Sequence, residues 1–296
     1  GKTLATKNPS ENNDEELAIT FSWLGAVEAA AGNFVMSLDW YQQQLAIRRA
    51  LMAASDDPHR KHVVGRALHL LAGIQEQAGQ VSSASQALDE SVQLYRDLVA
   101  YDPQNYEWQR ELAWSLASLA SCSYAIGEST AESARATLSL ARETISRVSD
   151  DDTAETIRVI AAIEHDLARV ELIEGYPVKA LDLSQSATRR LTSLISGNDR
   201  IRLLPLYAKA SYISAEAMLT LGNTFESKTT AETALQNLGL REDDPIAVRA
   251  YAALLSFLAN NRDAETLIAT LAETDYRGLT YIPNTDTEAW WTQRID

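Results

Sequence analysis

Glycine returns along this chain at positions 32, 79, 127, 175 and 222, at intervals of 47, 48, 48 and 47 residues. A period of that length restricts a chain to a repeat architecture. Each unit is a supersecondary element that cannot bury its apolar face alone, and stacked neighbours complete one shared core. A second series interleaves with the first at the same period: Asp56-Asp57-Pro58, Asp102-Pro103, Asp150 to Asp152, Asn198-Asp199 and Asp243-Asp244-Pro245. Length alone, 296 residues, would suggest about two domains; the shared period predicts one elongated solenoid instead.

Both halves of each period are helical. Val63, Ala67, Leu70, Leu71, Ile74 and Ala78 recur at steps of three and four, as do Ala84, Ala87, Leu88, Val92, Tyr95, Leu98 and Val99. That spacing aligns apolar side chains on one face of a helix. Glycine after the last periodic residue supplies a left-handed cap, Ser, Thr or Asp opens the next helix, and the Asp/Pro marker closes it. The pattern predicts six antiparallel pairs: 16–31 with 34–54, 60–78 with 81–100, 105–126 with 130–148, 153–174 with 177–195, 200–221 with 224–238, and 246–259 with 262–273. Residues 1–14 read as a polar arm and 275–296, with Trp290 and Trp291, as an aromatic tail that caps the last pair or docks elsewhere. The repeat domain itself spans 15–274.

The chain carries a formal charge of −15 and no basic block, which argues against nucleic acid and anionic lipid as partners. No apolar run is long enough for direct membrane insertion. Gly1-Lys2 in place of an initiator methionine reads as the start of an excised fragment. The compartment therefore stays open between cytoplasm and the periplasmic part of an anchored protein. A single cysteine, Cys122, excludes an internal disulfide and a cysteine-based zinc site, and reads as a packed small side chain. No phosphate loop, nucleophile elbow or HExxH motif is present. His59 and His62 read as solvated residues near a helix start, and the acidic clusters at 150–152 and 241–244 as caps and turns. No cofactor, no metal and no enzymatic activity are expected.

Around each glycine the chain resembles the tetratricopeptide repeat family. Leu24-Gly25, Gly32-Asn33-Phe34, Ser37-Leu38, Tyr41 and Leu45 follow the family's order of a Leu-Gly pair, a turn and second-helix packing residues. Leu71-Ala72 with Gly79, Leu167-Ala168 with Gly175, and Gly222-Asn223 with Ala231 repeat parts of it. The likeness covers about 16–273, but the period exceeds the family's usual repeat of about 34 residues. The Asp-Pro-x-Asn wording at 102–105, with Trp-Gln-Arg-x-Leu-Ala at 108–113, resembles long-period repeats of bacterial regulators and kinases.

The resemblance implies an all-α fold, a right-handed α-α superhelix whose concave face comes from the first helix of each pair. Carried onto this chain, that face presents small residues from the first unit (Ile19, Ser22, Ala26, Ala29, Ala30). The later units give Arg66, His69 and Glu76; Trp114 and Tyr124; His165 and Arg169; then Lys209, Tyr212 and Glu216. Arg and aromatics together are the composition of protein-binding hot spots, and Arg or Lys can hold carboxylates. The expectation is a non-enzymatic scaffold binding a protein or peptide ligand in its groove, with Trp23, Trp40 and Trp108 packed in the scaffold. The alternative is a self-association domain forming a homodimer.

Overall fold

The computed structural model describes residues 9–148, 153–197, 200–241, 244–261, 263–274 and 276–277, with side chains from residue 13 onward. Among these, all regular structure is helical. The elements are α1 (Pro9–Ala31), α2 (Phe34–Ala53), α3 (Pro58–Gln77), α4 (Val81–Tyr101), α5 (Tyr106–Ala125) and α6 (Ala131–Ser146), followed by α7 (Ala154–Ile173), α8 (Pro177–Thr192), α9 (Arg200–Thr220), α10 (Thr224–Leu238), α11 (Ile246–Leu258) and α12 (Asp263–Ala272). They form six antiparallel pairs in a helical solenoid. Each second helix packs on its own first helix and on the first helix of the next pair, as α4 does on α3 and α5. First helices also touch one another: α5 meets α7, α7 meets α9, and α9 meets α11. The first helices thus lie on the inside of the curve.

The joints have a local cause. At the second, Gly79 has φ +76°, its N–H bonds to Glu76 O, and Gln80 N–H reaches back to Gln75 O at 2.7 Å. This closure needs a left-handed residue, which glycine adopts without strain. Gly32, Gly127, Gly175 and Gly222 are also left-handed. The sixth joint uses Asn260 instead (φ 54°), and α11 has 13 residues where α3, α5 and α7 have 20. Asp57, Asn105, Thr130 and Thr153 cap the starts of α3, α5, α6 and α7 through side-chain oxygens.

Within a pair, close approach needs small residues. A Cβ on Gly25 would lie 2.7 Å from the ring of Tyr41, and one on Gly65 would lie 2.8 Å from the ring of Tyr95. Ser37 Oγ donates to Gly25 O at 2.8 Å, and Ser227 Oγ donates to Ala215 O in the same way in the fifth unit.

Several expectations change. α1 begins at Pro9, inside the stretch read as an arm, because proline suits a first helical turn, where its missing N–H has no partner to lose. Residues 1–8, 149–152, 242–243 and 278–296 fall outside the described residues, so Asp150 to Asp152, Trp290 and Trp291 are not placed. Tyr276 and Arg277 are placed, and they pack against the first two units. Tyr276 is buried, its ring 5.9 Å from Phe34, and Arg277 N–H donates to Gln77 O at 2.7 Å. Since α1 also touches α11, the last unit meets the first and the superhelix curls back on itself.

His62 is buried rather than solvated, with Tyr95 Oη 3.4 Å from its Nδ1 and Glu107 3.4 Å from its Nε2. Asp244 stands in a turn, accepting from Arg241 N–H at 2.9 Å, and in addition pairs with Arg200 at 2.6 Å. Trp40 stacks on Phe21 at 5.3 Å, whereas Trp23 stands 70% exposed. Trp108 lies half-buried at its joint, its ring 6.4 Å from Tyr101.

Candidate functional site

The curl of the solenoid encloses a cavity of about 480 Å³ to which all six first helices contribute. Residues reach it at helical steps of four and three. They are His69, Gly73 and Glu76 on α3; Trp114, Ser118 and Ser121 on α5; Arg202, Leu206 and Lys209 on α9. The longest stripe is on α7, where Arg158, Ala162, His165, Asp166 and Arg169 share one face. Ala26, Ala29 and Ala30 of α1, Tyr251 of α11 and Tyr276 complete the wall. A groove of similar volume lies outside, over α9 between α8 and α10. Five threonines contribute to its lining, with a single Arg and a single Glu.

Charge sets the inner cavity apart. In a chain of −15, four cations gather there: Arg158, Arg169, Arg202 and Lys209. Lys209 Nζ lies 3.8 Å from Glu76 Oε1, linking the fifth unit to the second. The Glu76 carboxylate raises the Lys209 pKa, outweighing the effect of burial. Arg202 pairs with Glu155 at 2.8 Å. Arg169 donates to Ser121 O at 2.9 Å, and Ser121 Oγ donates to Asp166 Oδ1 at 3.0 Å. Burial pushes Asp166 up to about 6, against the opposing pull of Arg169, Lys209 and the Ser121 hydroxyl.

Aromatic groups line the cavity on α3 and α5. The Arg158 guanidinium lies 4.0 Å from the Trp114 ring centroid, a cation–π distance, and the His69 ring centroid is 3.9 Å from that of Trp114. His69 Nδ1 is 3.2 Å from Ser115 Oγ. Burial, with Arg158 and Arg66 nearby, lowers its pKa to about 3. His165 is likewise held well below the usual range by burial, then by Lys209 and Arg169. Both rings are neutral at pH 7. Arg158 Nε, His165 Nδ1 and Arg169 Nε are buried without a hydrogen-bond partner. Buried polar atoms left unpaired are costly.

Of the ten residues read from the sequence, His69, Glu76, Trp114, His165, Arg169 and Lys209 line the cavity. The other four do not. Arg66 is exposed one turn before His69 and outside the cavity lining. Tyr124 sits at the ends of α5 and α7, donating to Glu174 at 2.7 Å. Tyr212 and Glu216 are buried. Tyr212 donates to Glu216 at 2.8 Å and its ring lies 5.9 Å from Tyr251. The reason is α11, which packs on α9 and covers this part of its surface. Arg158, Asp166, Arg202 and Tyr251 were not foreseen. Arg158 and Asp166 stand at i−4 and i+4 from Ala162 on the α7 face, so continuing that periodicity would have found them.

Six curled helix pairs around an inner cavity define an all-helical repeat solenoid. Sequence comparison finds no matching family model and no matching curated protein. The solved structures it is similar to include the Rap conjugation gene regulator of the plasmid pLS20, in complex with the Phr* peptide. That likeness has a TM-score of 0.63 and 16% identity over 91% of this chain and 67% of that one. BtubC (BKLC) from P. vanneervenii is similar with a TM-score of 0.51 and 15% identity, over 83% of this chain and 92% of that one. At those identities the likeness concerns the fold. No described helix is long and apolar enough to cross a membrane.

Proposed function

We propose that this chain is a non-catalytic ligand-binding module, the sensing part of a larger bacterial regulator, that takes a peptide or protein segment into its inner cavity. The observation that carries this reading is the concentration of cations in the wall of one cavity inside an acidic solenoid. Arg158, Arg169 and Lys209 would hold carboxylates or backbone carbonyls by charge-assisted hydrogen bonds. Trp114 and Tyr251 would offer flat contact area at low entropic cost. The likeness to a regulator solved with a peptide supports the same reading. Calorimetry of a peptide selected on the wild-type protein tests it. Arg169→Gln with Trp114→Ala should weaken binding by about 100-fold with helicity intact, and unchanged affinity would refute it.

A second reading has its own observation. Leu17 and Leu24 of α1 and Val35 and Met36 of α2 are each exposed, and a second copy could stack on them. Sedimentation of wild type against Val35→Ser/Met36→Ser decides it: a dimer made monomeric favours self-association, and a monomer in both removes it.

A further inference from the structure

One face of α1 runs from the cavity to the outside. Ile19, Trp23, Ala26 and Ala30 follow one another at steps of four, three and four, which places them in a single stripe. Ala26 and Ala30 line the cavity. Ile19 and Trp23 extend the stripe beyond it, 48% and 70% exposed, with Val27 beside them at 64%. A tryptophan is seldom left so open, because its burial is worth more than that of other side chains. Here Phe21 stacks on Trp40 at 5.3 Å and leaves Trp23 outside that pair. Elsewhere in the cavity wall stand the cations of α7 and α9. The surface is therefore continuous, with a cationic inner part and an apolar outer part.

We infer that the ligand is a bipartite peptide, with acidic residues in the cavity and aliphatic or aromatic residues lying along the Ile19–Trp23 stripe. The inference rests on the reading of the cavity as a peptide site and adds what the peptide must carry outside it. The chemistry favours a peptide over a single anionic headgroup. Arg158 and Arg169, both lining the cavity, stand about 16 Å apart along α7. A line of backbone carbonyls and side-chain carboxylates matches that spread, and one headgroup does not.

Random peptides displayed on phage and panned on the wild-type protein give the test. The expected winners combine acidic residues with an apolar segment. Panning on Ile19→Ser/Trp23→Ser should keep the acidic preference and lose the apolar one. By calorimetry, a winning peptide should bind that variant about tenfold more weakly, about 1.4 kcal/mol. Both substituted side chains are solvent-facing, and circular dichroism verifies the fold. An acidic preference without an apolar one, or an apolar preference that survives in the serine variant, overturns the inference and leaves the cavity reading standing. No acidic preference at all overturns both. A wild-type dimer that Trp23→Ser dissociates would assign the stripe to a second copy and overturn the inference as well.

Discussion

Asp166 is the residue through which pH should reach the cavity. Its carboxyl titrates at about 6, raised from the usual aspartate value by burial. As pH falls from 7.5 to 5 it gains a proton, and the negative charge facing Arg169 and Lys209 disappears. An acidic peptide should then bind severalfold more tightly at pH 5 than at pH 7.5, and Asp166→Asn should flatten the profile; fluorescence titration across that range measures both. The sign for stability follows from the same shift. A carboxyl with a raised folded pKa favours the folded state below its unfolded value, and that contribution is lost as pH rises through about 6. Asp166→Asn should therefore raise the melting temperature at pH 7.5 more than at pH 4. The sequence shows Asp166 only as one acid among 41 Asp and Glu. Its burial depends on helices far apart in the chain, which no local pattern reports. Trp23 carries the same lesson from the other side: its spacing looks like packing, but Phe21 takes the place against Trp40 and leaves Trp23 exposed.

At the scale of the element, helix pairs were legible because the signals that make them are local. Periodic apolar residues, left-handed glycines and side-chain caps each act within a turn or two. Asp57→Ala, which removes the acceptor for His59 N–H, should cost about 1 kcal/mol in chemical denaturation. The inner face was legible in part. Counting back from glycine finds Glu76, Trp114 and Arg169, since α3, α5 and α7 have equal lengths. It fails on α9 beyond Lys209, where the short α11 packs and buries Tyr212 and Glu216. The final segment reads as a cap for the last pair or a docking segment; of it only Tyr276 and Arg277 are described, and Tyr276 packs against Phe34 of the first unit. Tyr276→Ala should destabilise by about 3 kcal/mol, and hydrogen exchange should show the added opening in α1 and α2 as well as near the C-terminus.

The whole molecule depends on a quantity the repeat does not state, namely how far each unit turns relative to the last. Here the turn brings α11 to α1, Arg277 to Gln77 and Lys209 to Glu76. A groove open along one side, as the repeat alone suggested, becomes a cavity walled by every unit. The central claim is that the ligand lies within that wall. Ala162 tests it most directly: it lines the cavity on α7 between Arg158 and Arg169, and a bulky side chain there fills the space while leaving every charge in place. Calorimetric titration of a selected acidic peptide against Ala162→Trp should find no measurable binding, with the melting temperature within a few degrees of wild type. Wild-type affinity in Ala162→Trp would contradict the account.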